Sequence, residues 1–71
     1  MLADGTYDAI VVDAERVDDA VRLELTITAG PKKGEIVAVR SANATLDPVS
    51  ALGIPARIVV VEGTPRVTLE T

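Results

Sequence analysis

From Ala20 to Ala29 the chain alternates, with Val21, Leu23, Leu25 and Ile27 interleaved by Arg22, Glu24, Thr26 and Thr28. A period of two sends successive side chains to opposite faces, so this stretch predicts a β-strand with one dry and one wet side. Four further strands follow from the same reading. The first covers about Thr6 to Ala14 and is apolar on both faces at Ile10, Val11 and Val12, as expected of a strand that bends between two sheets. A turn is expected over Glu15 to Asp19. The loop Gly30-Pro31-Lys32-Lys33-Gly34 predicts a hairpin into a third strand, Glu35 to Ser41. A fourth strand runs from Ile54 or Ala56 to Val61, the turn Glu62-Gly63-Thr64-Pro65 reverses it, and Arg66 to Glu70 alternates as a fifth.

Between Ser41 and Gly53 the alternation stops. Asp47-Pro48 followed by Gly53 predicts a short helix, with Asp47 as N-cap, Pro48 in the first turn, where its missing N–H costs nothing, and Gly53 as the stop. Val49 and Leu52, three apart, are expected to form an apolar stripe that plugs one end of a barrel. The order is strand, strand, strand, helix, strand, strand. It predicts one all-β domain: a small five-stranded OB-like barrel, alternatively an SH3-like one, with one short helix between strands 3 and 4.

With 71 residues the chain is near the lower limit for a domain held by a single core, and it has no cysteine to reinforce that core. Its hydrophobic fraction is 48%, yet Tyr7 is the only aromatic residue, so the interior must be aliphatic. Tyr7 itself is expected to pack, with its hydroxyl at the barrel rim, rather than to serve as a stacking platform. Apolarity exceeds what one wet face allows in Ile36-Val37-Ala38-Val39 and Ile58-Val59-Val60-Val61, where both faces are aliphatic. Something is expected to cover the second face. Either the barrel's own curvature, the helix plug or the amino-terminal segment does so, or an interface through Val37, Val39, Val59 or Val61 to a protein partner or a second copy; a homo-oligomer is the expectation.

The residues Gly5, Tyr7, Ala9, Val11, Val12, Asp13, Ala14 and Glu15, then Leu23, Leu25, Thr26 and Ile27, then Gly30-Pro31-Lys32-Lys33-Gly34-Glu35, resemble OB-type single-strand-binding-like proteins of phages and bacteria. The Gly-Pro-Lys-Lys-Gly piece is also similar to the loop of a KOW motif. The resemblance covers roughly the first forty residues and implies a nucleic-acid face on the second to fourth strands, with Arg22, Lys32, Lys33, Arg40 and Arg57 as its candidate cations. Chemistry opposes that role. The net charge is −4, and for base stacking worth about 1–3 kcal/mol per base the chain offers one ring, Tyr7. The acids concentrate early: Asp4, Asp8, Asp13, Glu15, Asp18 and Asp19 precede residue 20, against Arg16 alone.

Catalysis is not expected. Ser41 and Ser50 have no histidine to activate them, and no glycine-rich loop opens a helix to cradle a phosphate. The run Asp13 to Asp19 lacks the spacing of a calcium loop, so neither a metal nor a cofactor is expected. Asn43-Ala44-Thr45 matches a glycosylation acceptor by chance composition. Met1 to Gly5 carries no signal-peptide pattern and no stretch is long enough to span a bilayer, which makes a cytoplasmic protein the expectation; the Ala-, Val-, Gly-, Asp- and Arg-rich composition suits a GC-rich bacterial or phage genome. The expected function is a non-enzymatic binding or assembly module acting through a protein interface, with weak single-stranded nucleic-acid binding as the alternative.

Overall fold

A computed structural model describes residues 3–41 and 47–70. Five antiparallel strands, β1 (Gly5–Val17), β2 (Ala20–Ile27), β3 (Ile36–Ser41), β4 (Pro55–Val61) and β5 (Thr64–Leu69), form one curled sheet in the order β3-β2-β1-β4-β5. A single helix, α1 (Pro48–Ala51), lies between β3 and β4. The curl brings β3 and β5 to within 8 Å of one another, Cα to Cα, without a ladder between them. The result is a half-barrel.

The long β1 holds the two halves together. Its first part, Gly5 to Ile10, pairs with β4, and Ala9 to Val17 pairs with β2. The register slips between Val11 and Asp13, a bulge that bends the strand and raises its twist. Val12 is therefore extra to the alternation and lies 49% exposed, which explains the apolar-on-both-faces run at Ile10 to Val12. β1 is longer than the expected Thr6–Ala14. Glu15 pairs with Arg22 and Arg16 with Val21, so the hairpin closes on Asp18 and Asp19 alone, with Asp18 at φ +57°.

The core is aliphatic. Val21, Leu23, Leu25 and Ile27 of β2, Ala9 and Val11 of β1, and Ala56, Ile58 and Val60 of β4 are all buried. Tyr7, Ala14, Val37, Val39, Val67 and Leu69 pack half-buried against them. Tyr7 thus packs on the core, and its hydroxyl donates to the Ala3 carbonyl. No polar side chain is buried among the described residues.

Two further local expectations are corrected. β5 begins at Thr64 rather than Arg66, because Glu62 (φ +52°) and Gly63 (φ +78°) close the hairpin with two left-handed residues and Val61 already pairs with Thr64. Pro65 then sits inside an edge strand, where its missing N–H breaks no bond to β4. In α1 the Asp47 carboxylate accepts from the Val49 N–H at 3.0 Å, as an N-cap should. The plug, however, is Ala51: Val49 is 76% and Leu52 47% exposed. Val11 bonds through its backbone to both Gly53 and Ile54, at 2.9 and 3.1 Å, which ties the turn after α1 to β1 with Ala51 buried (1% exposed) beneath it. The sequon Asn43-Ala44-Thr45 lies outside the described residues.

A second tie joins distant parts of the chain. The Asp4 carboxylate accepts from the Glu62 and Gly63 N–H groups, at 3.0 and 3.1 Å, and so pins the amino-terminal approach to β1 onto the β4–β5 turn.

Candidate interaction surface

Strand register sorts the outward-facing side chains into rows. One row crosses four strands: Ile36 stands opposite Thr26, Thr26 opposite Ile10, and Ile10 opposite Pro55. The next comprises Ala38, Glu24 and Asp13, and the third Arg40, Arg22 and Glu15. On the other half, Thr6, Val59 and Arg66 form one row, and Asp8, Arg57 and Thr68 another.

The four candidate interface valines do not share a surface. Val37 and Val39 face inward beside Leu25 and Leu23, half-buried on the core, whereas Val59 and Val61 face outward. Inward packing therefore accounts for half of the excess apolarity. The outward remainder is Ile36 at 60% exposure, Val61 at 54% and the bulge residue Val12, with Ile10 and Val59 half-buried between neighbours. Ile10, Val12 and Ile36 were not singled out by the alternation of the sequence. The doubly apolar runs at Ile10 to Val12 and at Ile36 to Val39 were the available signals, and only the bulge and the strand register show which of their residues turn outward.

The candidate cations are likewise divided. Arg22 and Arg40 are directly opposed on β2 and β3 and line a shallow open depression of about 260 Å³ together with Ala38 and Val39. Arg22 is held by Glu24 at 2.9 Å, and Glu15 and Asp13 lie opposite on β1. Lys32 pairs with Glu35 at 3.8 Å at the hairpin between β2 and β3, and Lys33 is exposed in the same loop. Arg57 is separated from these by β1 and contacts Asp8 at 3.9 Å and Glu70 at 3.6 Å. Exposed pairs of this kind contribute at most about 1 kcal/mol each, but they do neutralise the cations. Arg40 and Arg66, on the two edge strands, make no ion pair among the described residues.

Among the described residues no group of three or more potential ligands is placed to hold a metal ion, and no helix is long and apolar enough to cross a membrane. Ser50 donates to Asp47 as part of the helix cap. No protein-family model, curated protein or solved structure matches this chain. What stands of the resemblance read from residues 5–35 is the architecture, a curled five-stranded sheet compatible with small OB- or SH3-like barrels.

Proposed function

We propose that this chain is a non-enzymatic binding and assembly module, an OB-like barrel opened along the β3–β5 seam, that works through a protein interface. The OB-like reading is supported by β1 shared between β2 and β4, by the helix between β3 and β4, and by β3 and β5 as the two facing edges. The interface reading is carried by one observation: Ile36, Val61 and Val12 are about half or more exposed on a domain small enough to need every aliphatic side chain inside.

The test is mass against concentration by light scattering for the native chain and for Ile36→Lys and Val61→Lys. A mass above 7.4 kDa that either substitution lowers supports the proposal. A monomer throughout, with no protein retained in a pull-down, removes it.

A second reading, a weak single-stranded nucleic-acid binder, draws on the opposed Arg22 and Arg40 beside the Lys32–Lys33 loop. Its measure is an electrophoretic shift of a short single strand at low salt. Micromolar binding that weakens with salt and with neutralisation of Lys32 and Lys33 favours it over the protein interface.

A further inference from the structure

The interface reading leaves its partner open, and the edge of β3 bears on what that partner is. Ile27 donates its N–H to the Glu35 carbonyl at 3.0 Å and accepts from the Gly34 N–H at 2.8 Å, so Ile27 aims both its backbone groups at the chain entering β3. Hydrogen-bonded and non-hydrogen-bonded pairs alternate in an antiparallel ladder, so Val37 and Val39 aim their backbone groups at β2 while Ile36, Ala38 and Arg40 aim theirs at the open edge. Among the described residues nothing bonds to those groups. On β5 the Glu70 N–H donates to the Pro55 carbonyl at 2.8 Å, and the same alternation points the backbone groups of Val67 and Leu69 away from β4 but interrupts that edge at Pro65. β3 therefore has the complete edge and β5 the blunted one.

Both edge strands carry an outward cation that makes no ion pair among the described residues, Arg40 on β3 and Arg66 on β5, in a protein of net charge −4. Inside the seam, Val37, Val39, Val67 and Leu69 are only half-buried. Building on the interface reading above, we infer that β3 accepts an extended segment of a partner protein by strand addition, and that this segment alternates aliphatic residues facing the seam with acidic residues facing Arg40 and Arg66. Strand addition gives affinity through the backbone and selectivity through alternate side chains. A second copy fits less well. Pairing β3 with its twin about Ala38 sets Arg40 against Ile36 of the twin, and residues 36–41 include no carboxylate to meet the cation. Because β3 and β5 approach within 8 Å, a guest between them at about 4.8 Å from each opens the seam by roughly 2 Å or more where they are closest.

The experiment titrates the intact chain with fluorescent peptides of alternating Val and Glu, and of alternating Val and Lys, by anisotropy, with amide exchange measured on the complex. The Val–Glu peptide should bind the more tightly. Arg40→Glu should weaken it about two- to fivefold and strengthen the Val–Lys peptide by a similar factor. Amides of Ile36, Ala38 and Arg40 should gain protection on binding, while those of Val37 and Val39, already bonded to β2, change little. Equal binding of the two peptides, no binding of either, or protection confined to other strands overturns the inference. A native dimer in which the Ile36, Ala38 and Arg40 amides are protected without peptide assigns the edge to a second copy, which overturns the inference and leaves the interface reading standing. Loss of the interface reading is recognised separately, by the monomeric mass and empty pull-down described above.

Discussion

Replacing Ile58 with alanine tests whether the half-barrel is held by a packed aliphatic interior. Ile58 is wholly buried (0% exposed) and faces inward from β4, opposite Tyr7 on β1 and Val67 on β5. Losing three carbons removes about 2.4 kcal/mol of transfer free energy at about 0.8 kcal/mol each, and whatever cavity remains adds to it. Tyr7 and Val67 are half-buried at the lip of the core and free to lean inward, so the cavity term is small and the total falls near 3 kcal/mol. A domain of this length has a stability on the order of 4–10 kcal/mol, so the variant loses about three-tenths of it or more. The assay is urea unfolding at 25 °C, followed by circular dichroism. At a slope of about 1 kcal/mol/M the midpoint should drop by roughly 3 M, whereas Val61→Ala, at a site 54% exposed, should move it by less than about 0.5 M. Equal shifts for the two variants, or a shift below about 1 M for Ile58→Ala at unchanged slope, would show that the interior is not packed around this residue.

Asp4→Ala removes the acceptor for the Glu62 and Gly63 amides and should destabilise by about 1 kcal/mol, seen as a thermal midpoint lowered by several degrees; Asp4→Asn should recover part of it through its remaining carbonyl. Gly63→Ala places a β-carbon at φ +78° and should cost about 1 kcal/mol or more, whereas Thr64→Ala next to it should cost less; denaturant midpoints of the two distinguish backbone strain from simple loss of a side chain. Asp47→Ala should loosen α1 while leaving the sheet intact, visible as faster amide exchange at Val49 with unchanged protection of Leu23 and Leu25.

Strand identities were legible because the alternation of Val21, Leu23, Leu25 and Ile27 and the Gly/Pro punctuation around each strand are local signals. The capping of α1 by Asp47 was legible for the same reason. Which helical residue plugs the barrel was not: Val49 and Leu52 have the right spacing, but Ala51 is the one turned inward where the Val11–Gly53 backbone bond ties the following turn to β1. The candidate surface was less legible still. Val37 and Val59 look equivalent as sequence, since each lies in a doubly aliphatic run, and register alone sends one inward and the other outward.

The chain's composition and local patterning determined an all-β domain with an aliphatic core, one capped helical turn after the third strand, and little ring or cation chemistry for nucleic acid. The tertiary structure decided the pairing of β1 with both β2 and β4, the bulge that turns Val12 outward, the separation of Arg57 from Arg22 and Arg40, and the open edge of β3. Local periodicity specifies which faces of a strand are dry, because that depends on neighbours two residues away. Which strands become neighbours, and which edge is left without one, depends on contacts between residues tens of positions apart, on which the period of a single strand carries no information.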